Sequence, residues 1–265
     1  MDISNYYEMN ELANKCRRKW NIHDNNPIDI ISVGLNKINN LTISFLKFDG
    51  NFSGSSCIVS NQVLVFINAL HPLGRQRFTL AHEIYHLMSE MGYIDVSNLS
   101  DEEIESNAEN FASCLLLPHG GLESYEEEFN IEKWTLEDII KAEQYYQLSH
   151  KAFLFRLNML GKITDKECEK FQPGIKKNAT KLGFTSDLYE SYSDYKELII
   201  GNYIRLTELS YDNELISEEK RDQLLEEKGD EYLIDKHRRE KTQRDRNRSN
   251  EKFDYEYYKN KKYKK

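Results

Sequence analysis

No stretch of about 18 consecutive apolar residues occurs in the 265-residue chain, so no membrane-spanning helix is expected. The first twenty residues, MDISNYYEMNELANKCRRKW, lack the apolar segment of a secretory leader. Cysteine is sparse and scattered (Cys16, Cys57, Cys114, Cys168), with no CxxC pair, which argues against a thiolate zinc site or a dithiol redox motif. Four isolated cysteines read as free thiols packed in a reducing compartment, and the expected location is the cytoplasm. No internal repeat is visible. Apolar residues make up 39% of the chain and charged residues 31%, so a core is expected with some of the chain outside it.

The net charge of −9 is unevenly spread. Residues 236–265 carry thirteen Lys/Arg against five Asp/Glu, a local +8, which leaves −17 on the preceding 235 residues. An acidic body repels phosphates, so direct nucleic-acid binding is expected, if anywhere, only through the tail, where FDYEYYKNKKYKK mixes tyrosine with lysine. The plainer reading of this apolar-poor tail is a solvated, disordered segment.

Helical spacing of Tyr6, Met9, Leu12, Ala13, Cys16 and Trp20 predicts a first amphipathic helix, and Pro27 opens a second short one. LTISFLKF and SSCIVSNQVLVFIN read as strands, the latter broken by a tight SNQ turn, giving a small sheet over residues 41–68. Arg77–Met91 is helical. Ser100 followed by Glu103 forms a capping box for the next helix, with acids in its first turn and Pro118 at its end. From Glu132 onward the pattern is helical. LSHKAFLFRLNMLGKI has the layout of the second helix of a helix-turn-helix, a layout that also serves plain core packing. Residues 187–235 alternate charged and apolar residues at helical spacing.

The chemistry lies in RFTLAHEIYHLMSE. At 3.6 residues per turn, His82 and His86 leave one helix face a turn apart, where both imidazoles can reach one tetrahedral Zn²⁺. Glu83 then borders the open coordination position and can move a proton from water to a leaving amine, which is the mechanical content of HExxH. A catalytic site needs a third protein ligand. Glu105, in EIESNAENFA, shares a helix face with Ala108, Glu109 and Ala112. Glu105 is the expected third ligand and Glu109 an expected acceptor for a ligand histidine's free N–H.

RQRFTLAHEIYHL followed by ESNAENFASCLLLP resembles the ImmA/IrrE family of metallo-endopeptidases. That family shows Arg-x-Arg-Phe-Thr-x-Ala-His-Glu-x-x-His and then Glu-x-x-Ala-Asn/Asp-x-Phe-Ala-x-x-Leu-Leu-x-Pro. The likeness runs from about Leu12 to about residue 190, and includes the VLVFIN strand and the stretch with Gly50 and Gly54 before it. Two positions depart: Tyr85 stands where glycine is usual, and Glu109 where Asn or Asp is common. Helical geometry turns Tyr85 away from the metal, so it should alter packing more than ligation.

The resemblance implies an α+β fold, with a small antiparallel or mixed twisted sheet packed on the HExxH helix and a mainly helical C-terminal region. The expected organisation is a zinc peptidase domain at 1–130, a helix-turn-helix-like subdomain at 131–190, a charged helical extension at 191–235 and the basic tail at 236–265. It implies an endopeptidase that cleaves a helix-turn-helix repressor or antitoxin-like regulator encoded nearby. It further implies that an extended substrate pairs with QVLVFIN, through Leu64, Val65, Phe66, Ile67 and Asn68. A donor for the tetrahedral oxyanion is required. His71, His119, Tyr125 and His150 are the candidates. The competing class is a non-hydrolytic module of the same fold that sequesters a regulatory partner. Intact Glu83 favours the enzyme.

Overall fold

The computed structural model describes residues 3–23, 25–190 and 198–226. In chain order these form α1 (Ile3–Lys19), α2 (Ile30–Lys37), β1 (Leu41–Leu46), β2 (Gly54–Val59), β3 (Gln62–Asn68), α3 (Leu73–Glu90) and α4 (Asp101–Leu116). There follow α5 (His119–Glu128), α6 (Leu136–Tyr146), α7 (His150–Met159), α8 (Asp165–Phe171), α9 (Ile175–Lys181), β4 (Leu198–Gly201), α10 (Asn202–Asp212) and α11 (Glu218–Glu226). The fold is α+β, as the sequence implies. No helix among the described residues is long and apolar enough to cross a membrane. The tail at 236–265 lies outside the described residues.

Among the described residues, those up to Asn202 form one compact unit and those from Tyr203 another. In the first, the sheet order is β2-β3-β1-β4, with β1 parallel to β3 and the other pairs antiparallel. Ser60 and Asn61 both have positive φ, which makes the β2–β3 link the two-residue hairpin turn whose twist matches its strands. β4 corrects the helical reading of 187–235 at four residues. Leu-Ile-Ile-Gly is a run too short for periodicity to separate strand from helix, and pairing with β1 decides it. Gly201 sits at φ +97°, where a Cβ would collide with the carbonyl oxygen of Leu41.

The core lies between sheet and helices. Ile43, Val65 and Ile67 from the sheet meet Leu80, Ile84 and Leu87 of α3, while Ala108, Phe111 and Leu115 of α4 extend the same cluster. α4 begins at Ser100, whose capping box with Glu103 is present, and its first turn carries Asp101, Glu102 and Glu103. Such a cap stabilises a helix by about 1 kcal/mol.

The far end of α4 is held differently. Arg17 of α1 donates to the carbonyl oxygens of Leu115 (2.7 Å), His23 (2.7 Å) and Asn26. Arg156 of α7 donates to those of Ser113 (3.0 Å) and Leu117, and to the Tyr6 hydroxyl (2.7 Å). Both side chains are almost fully buried. At Leu115, Arg17 satisfies a carbonyl that the α4 C-terminus leaves orphaned, and both guanidinium groups bring charge of the sign its dipole favours.

In the second unit, the Arg221 guanidinium stacks on the Tyr211 ring at 4.1 Å and pairs with Asp222 at 2.7 Å.

Candidate metal centre

The two histidines leave α3 on the side facing α4. His82 Nε2 and His86 Nε2 lie 3.0 Å apart. Glu105 offers a different oxygen to each, Oε2 at 3.2 Å from His82 and Oε1 at 3.4 Å from His86. Ligands on a tetrahedral ion at 2.0–2.1 Å are separated by roughly 3.3 Å. The three donors thus converge at the spacing one such ion requires. Among the described residues this is the His/Cys/Asp/Glu group near enough together to hold a metal. Glu105 remains 61% exposed at its side chain, so the cluster opens to solvent.

Glu83, 6% exposed, points from the same helix toward β2, where Ser56 Oγ donates to its Oε2 at 2.8 Å. Burial pushes the Glu83 pKa up and Glu105 adds to this, while the Ser56 hydrogen bond and His86 pull it down. His82 is held below its ordinary value, chiefly by burial and then by His86, against the pull of Glu105. The close contact of β2 with α3 needs Gly54, because a Cβ there would collide with Thr79 and the Phe66 carbonyl oxygen.

Ser56 was not identifiable as a site residue from the sequence. The one signal was a glycine opening a strand, which often marks close backbone approach.

Tyr85 is 2% exposed, its ring 5.7 Å from that of Phe111 on α4. The large residue at the family's glycine position thus packs between α3 and α4, its ring edge-on to that of His86 at 6.0 Å. Glu109 is exposed, and among the described residues it makes no hydrogen bond to either histidine. The inward side of α4 past Glu105 belongs instead to Asn107, Ala108, Asn110 and Phe111.

The four oxyanion candidates do not gather at the cluster. His119 stands at the start of α5, 3.5 Å from both the Tyr6 hydroxyl and Glu123. Tyr125 is buried among Phe129, Trp134, Tyr145 and Tyr146. His150 binds Glu143 at 2.7 Å and the Phe171 carbonyl oxygen at 3.2 Å. His71 is buried in the β3–α3 connection, with Nδ1 unbonded among the described residues and its pKa lowered by burial and by Arg75.

The expected substrate strand needs correction. Leu64, Val65, Phe66, Ile67 and Asn68 lie in β3, which pairs with β1 on one side and β2 on the other. Its backbone is already satisfied. The sheet edge beside α3 is β2.

A helix bearing His-Glu-x-x-His, a carboxylate from the following helix and a small sheet alongside define a metallopeptidase-like domain. Residues 37–158, just under half of the chain, match the IrrE N-terminal-like domain, a peptidase family, and this match supports membership of the ImmA/IrrE family. No curated protein matches the chain. Among solved structures, a Mycobacterium tuberculosis transcriptional regulator is similar at 14% identity and a TM-score of 0.38, over 57% of this chain and 47% of that one. The chain thus spans under half of that regulator, and a likeness of this degree carries no argument.

Proposed function

We propose that the protein is a zinc-dependent cytoplasmic endopeptidase and that its substrate is a helix-turn-helix regulator presented as an extended segment. The convergence of His82, His86 and Glu105 beside a buried Glu83 carries this reading. Two imidazoles and a carboxylate suit zinc. When bound there, zinc supplies Lewis acidity, polarising a carbonyl and making a water acidic near neutrality.

The chain's own groups supply the rest. The three ligands hold the ion and leave room beside it. Glu83 takes a proton from the attacking water and returns it to the amide nitrogen as the C–N bond breaks, a role worth about 10²–10⁴ in rate. Ser56 fixes one Glu83 oxygen, so the carboxylate meets the substrate in one orientation. An extended chain adds to the free edge of β2, where main-chain hydrogen bonds give affinity. The regulator as substrate rests on the family resemblance.

The deciding experiment combines metal analysis with co-expression of the neighbouring helix-turn-helix protein. Wild-type protein should hold about one zinc and cleave that regulator, and Glu83→Gln should hold zinc without cleaving. Equal biological effect from Glu83→Gln would favour sequestration and sink the enzyme.

A further inference from the structure

We infer that Glu90 sets the register of the bound substrate by closing the β2 edge at Ile58, so that an incoming chain pairs with Gly54 and Ser56 alone. This rests on the peptidase reading above and goes beyond it to a residue that selects how the substrate lies.

Val59 and Gln62 flank a two-residue turn and therefore form a hydrogen-bonded pair. Antiparallel pairs alternate, so Cys57–Leu64 and Ser55–Phe66 are also bonded. The Asn68 N–H donating to the Ser53 carbonyl at 2.9 Å has the same parity. Gly54, Ser56 and Ile58 thus turn their peptide groups away from β3 to the open edge. Of these, the Ile58 N–H is taken, donating to Glu90 Oε1 at 3.1 Å. Among the described residues, the N–H groups of Gly54 and Ser56 have no such partner.

Glu90 is the last residue of α3, the helix that carries His82, Glu83 and His86. β2 runs along this helix, with Gly54 against Thr79, Ser56 against Glu83 and Ile58 against Glu90. The two open positions lie beside the proposed base and the closed one lies about two turns on. The Glu90 carboxylate occupies the place of an added strand's carbonyl and ends the ladder there.

The test uses the full chain with Glu83→Gln to prevent turnover, and acetylated, amidated peptides of alternating Thr and Ala, four to ten residues long. Affinity should rise with length and then level off. Adding Glu90→Ala should carry the rise on to longer peptides by about fivefold, the worth of one hydrogen bond. Glu90→Gln, which keeps an acceptor oxygen, should level off as Glu83→Gln alone does. An unchanged profile in Glu90→Ala overturns register setting. In the free protein, amide hydrogen exchange at Ile58 should quicken at least tenfold in Glu90→Ala, with Ser56 unaffected. No change at Ile58 overturns the closure itself, whatever the peptides do. Failure of every peptide to bind, with exchange behaving as expected, would remove the peptidase reading and register setting with it, and leave a capped sheet edge.

Discussion

Two of the groupings of histidine with glutamate among the described residues are opposites. At His82, His86 and Glu105 three donor atoms face one another across 3.0–3.4 Å, and the carboxylate is 61% exposed. At His150 and Glu143 the carboxylate side chain is 0% exposed, the contact is 2.7 Å, and the second ring nitrogen is directed at the Phe171 carbonyl oxygen. In the first, lone pairs converge on a shared space that solvent can enter. In the second, both ring nitrogens are spent on protein groups and the carboxylate is shut off from solvent. Residue type does not separate the two; the direction of the lone pairs and access to them do. The first grouping has the spacing and the access of a metal centre, while the second pins α6, α7 and the end of α8 together.

The sharpest way to break this contrast is Glu83→Gln. Peptide hydrolysis should fall by about 10²–10⁴, while zinc content by elemental analysis stays near that of wild type. Next is Glu143→Ala, which should cost about 3–5 kcal/mol in chemical denaturation by stranding His150, with zinc affinity unchanged. Glu105→Ala should do the reverse. Zinc affinity by chelator competition should drop at least about 100-fold, with little change in metal-free stability, because Glu105 is largely solvated. If both variants lose stability alike, the two groupings are not distinct in kind.

Ser56→Ala should lower kcat by about tenfold or less with KM and zinc affinity nearly unchanged, and Ser56→Thr should recover part of the loss.

The smallest effect is one of pH. Burial raises the Glu143 pKa above its ordinary 4.5, against the opposing pull of His150. As pH climbs above 4.5 the unfolded chain releases this proton before the folded one, so its contribution to stability declines through that window. Denaturation at stepped pH should therefore show wild type losing ground to Glu143→Gln as pH rises. A constant difference would refute the shift.

The convergence of His82, His86 and Glu105 was legible in the sequence because its parts are local. His82 and His86 are one turn apart on one helix, and the capped, acid-rich start of α4 announces the helix of Glu105. What was illegible depends on pairing between distant segments. The choice of β3 as substrate strand failed because nothing in QVLVFIN says that β1 will lie parallel on one side while the hairpin takes the other. β2, a serine-rich run between two stronger strands, does not look like a working edge. Helical spacing puts Glu109 on the face of Glu105, but spacing ranks residues around an axis without fixing how the helix is rolled. Asn107, Ala108, Asn110 and Phe111 face inward and leave Glu109 outside. Tyr85 flanks the two histidines on the helix rather than opposing them, and its ring meets that of His86 edge-on at 6.0 Å.

β4 bears on how the chain can be cut and made. Residues 198–201 close the outer side of β1, over 150 positions later in the chain. A ribosome would release α3 and α4, with the His82, His86 and Glu105 cluster, well before the strand that finishes the sheet. Until then β1 offers bare peptide groups, the template on which misassembly starts. The segment that identifies the family, 37–158, also omits Arg17 and β4. Expressed alone it would keep its signature residues and Arg156 but lose Arg17's part of the clamp at one end of α4 and the seal on the sheet, so the stretch that carries the family match is shorter than the stretch that can stand by itself.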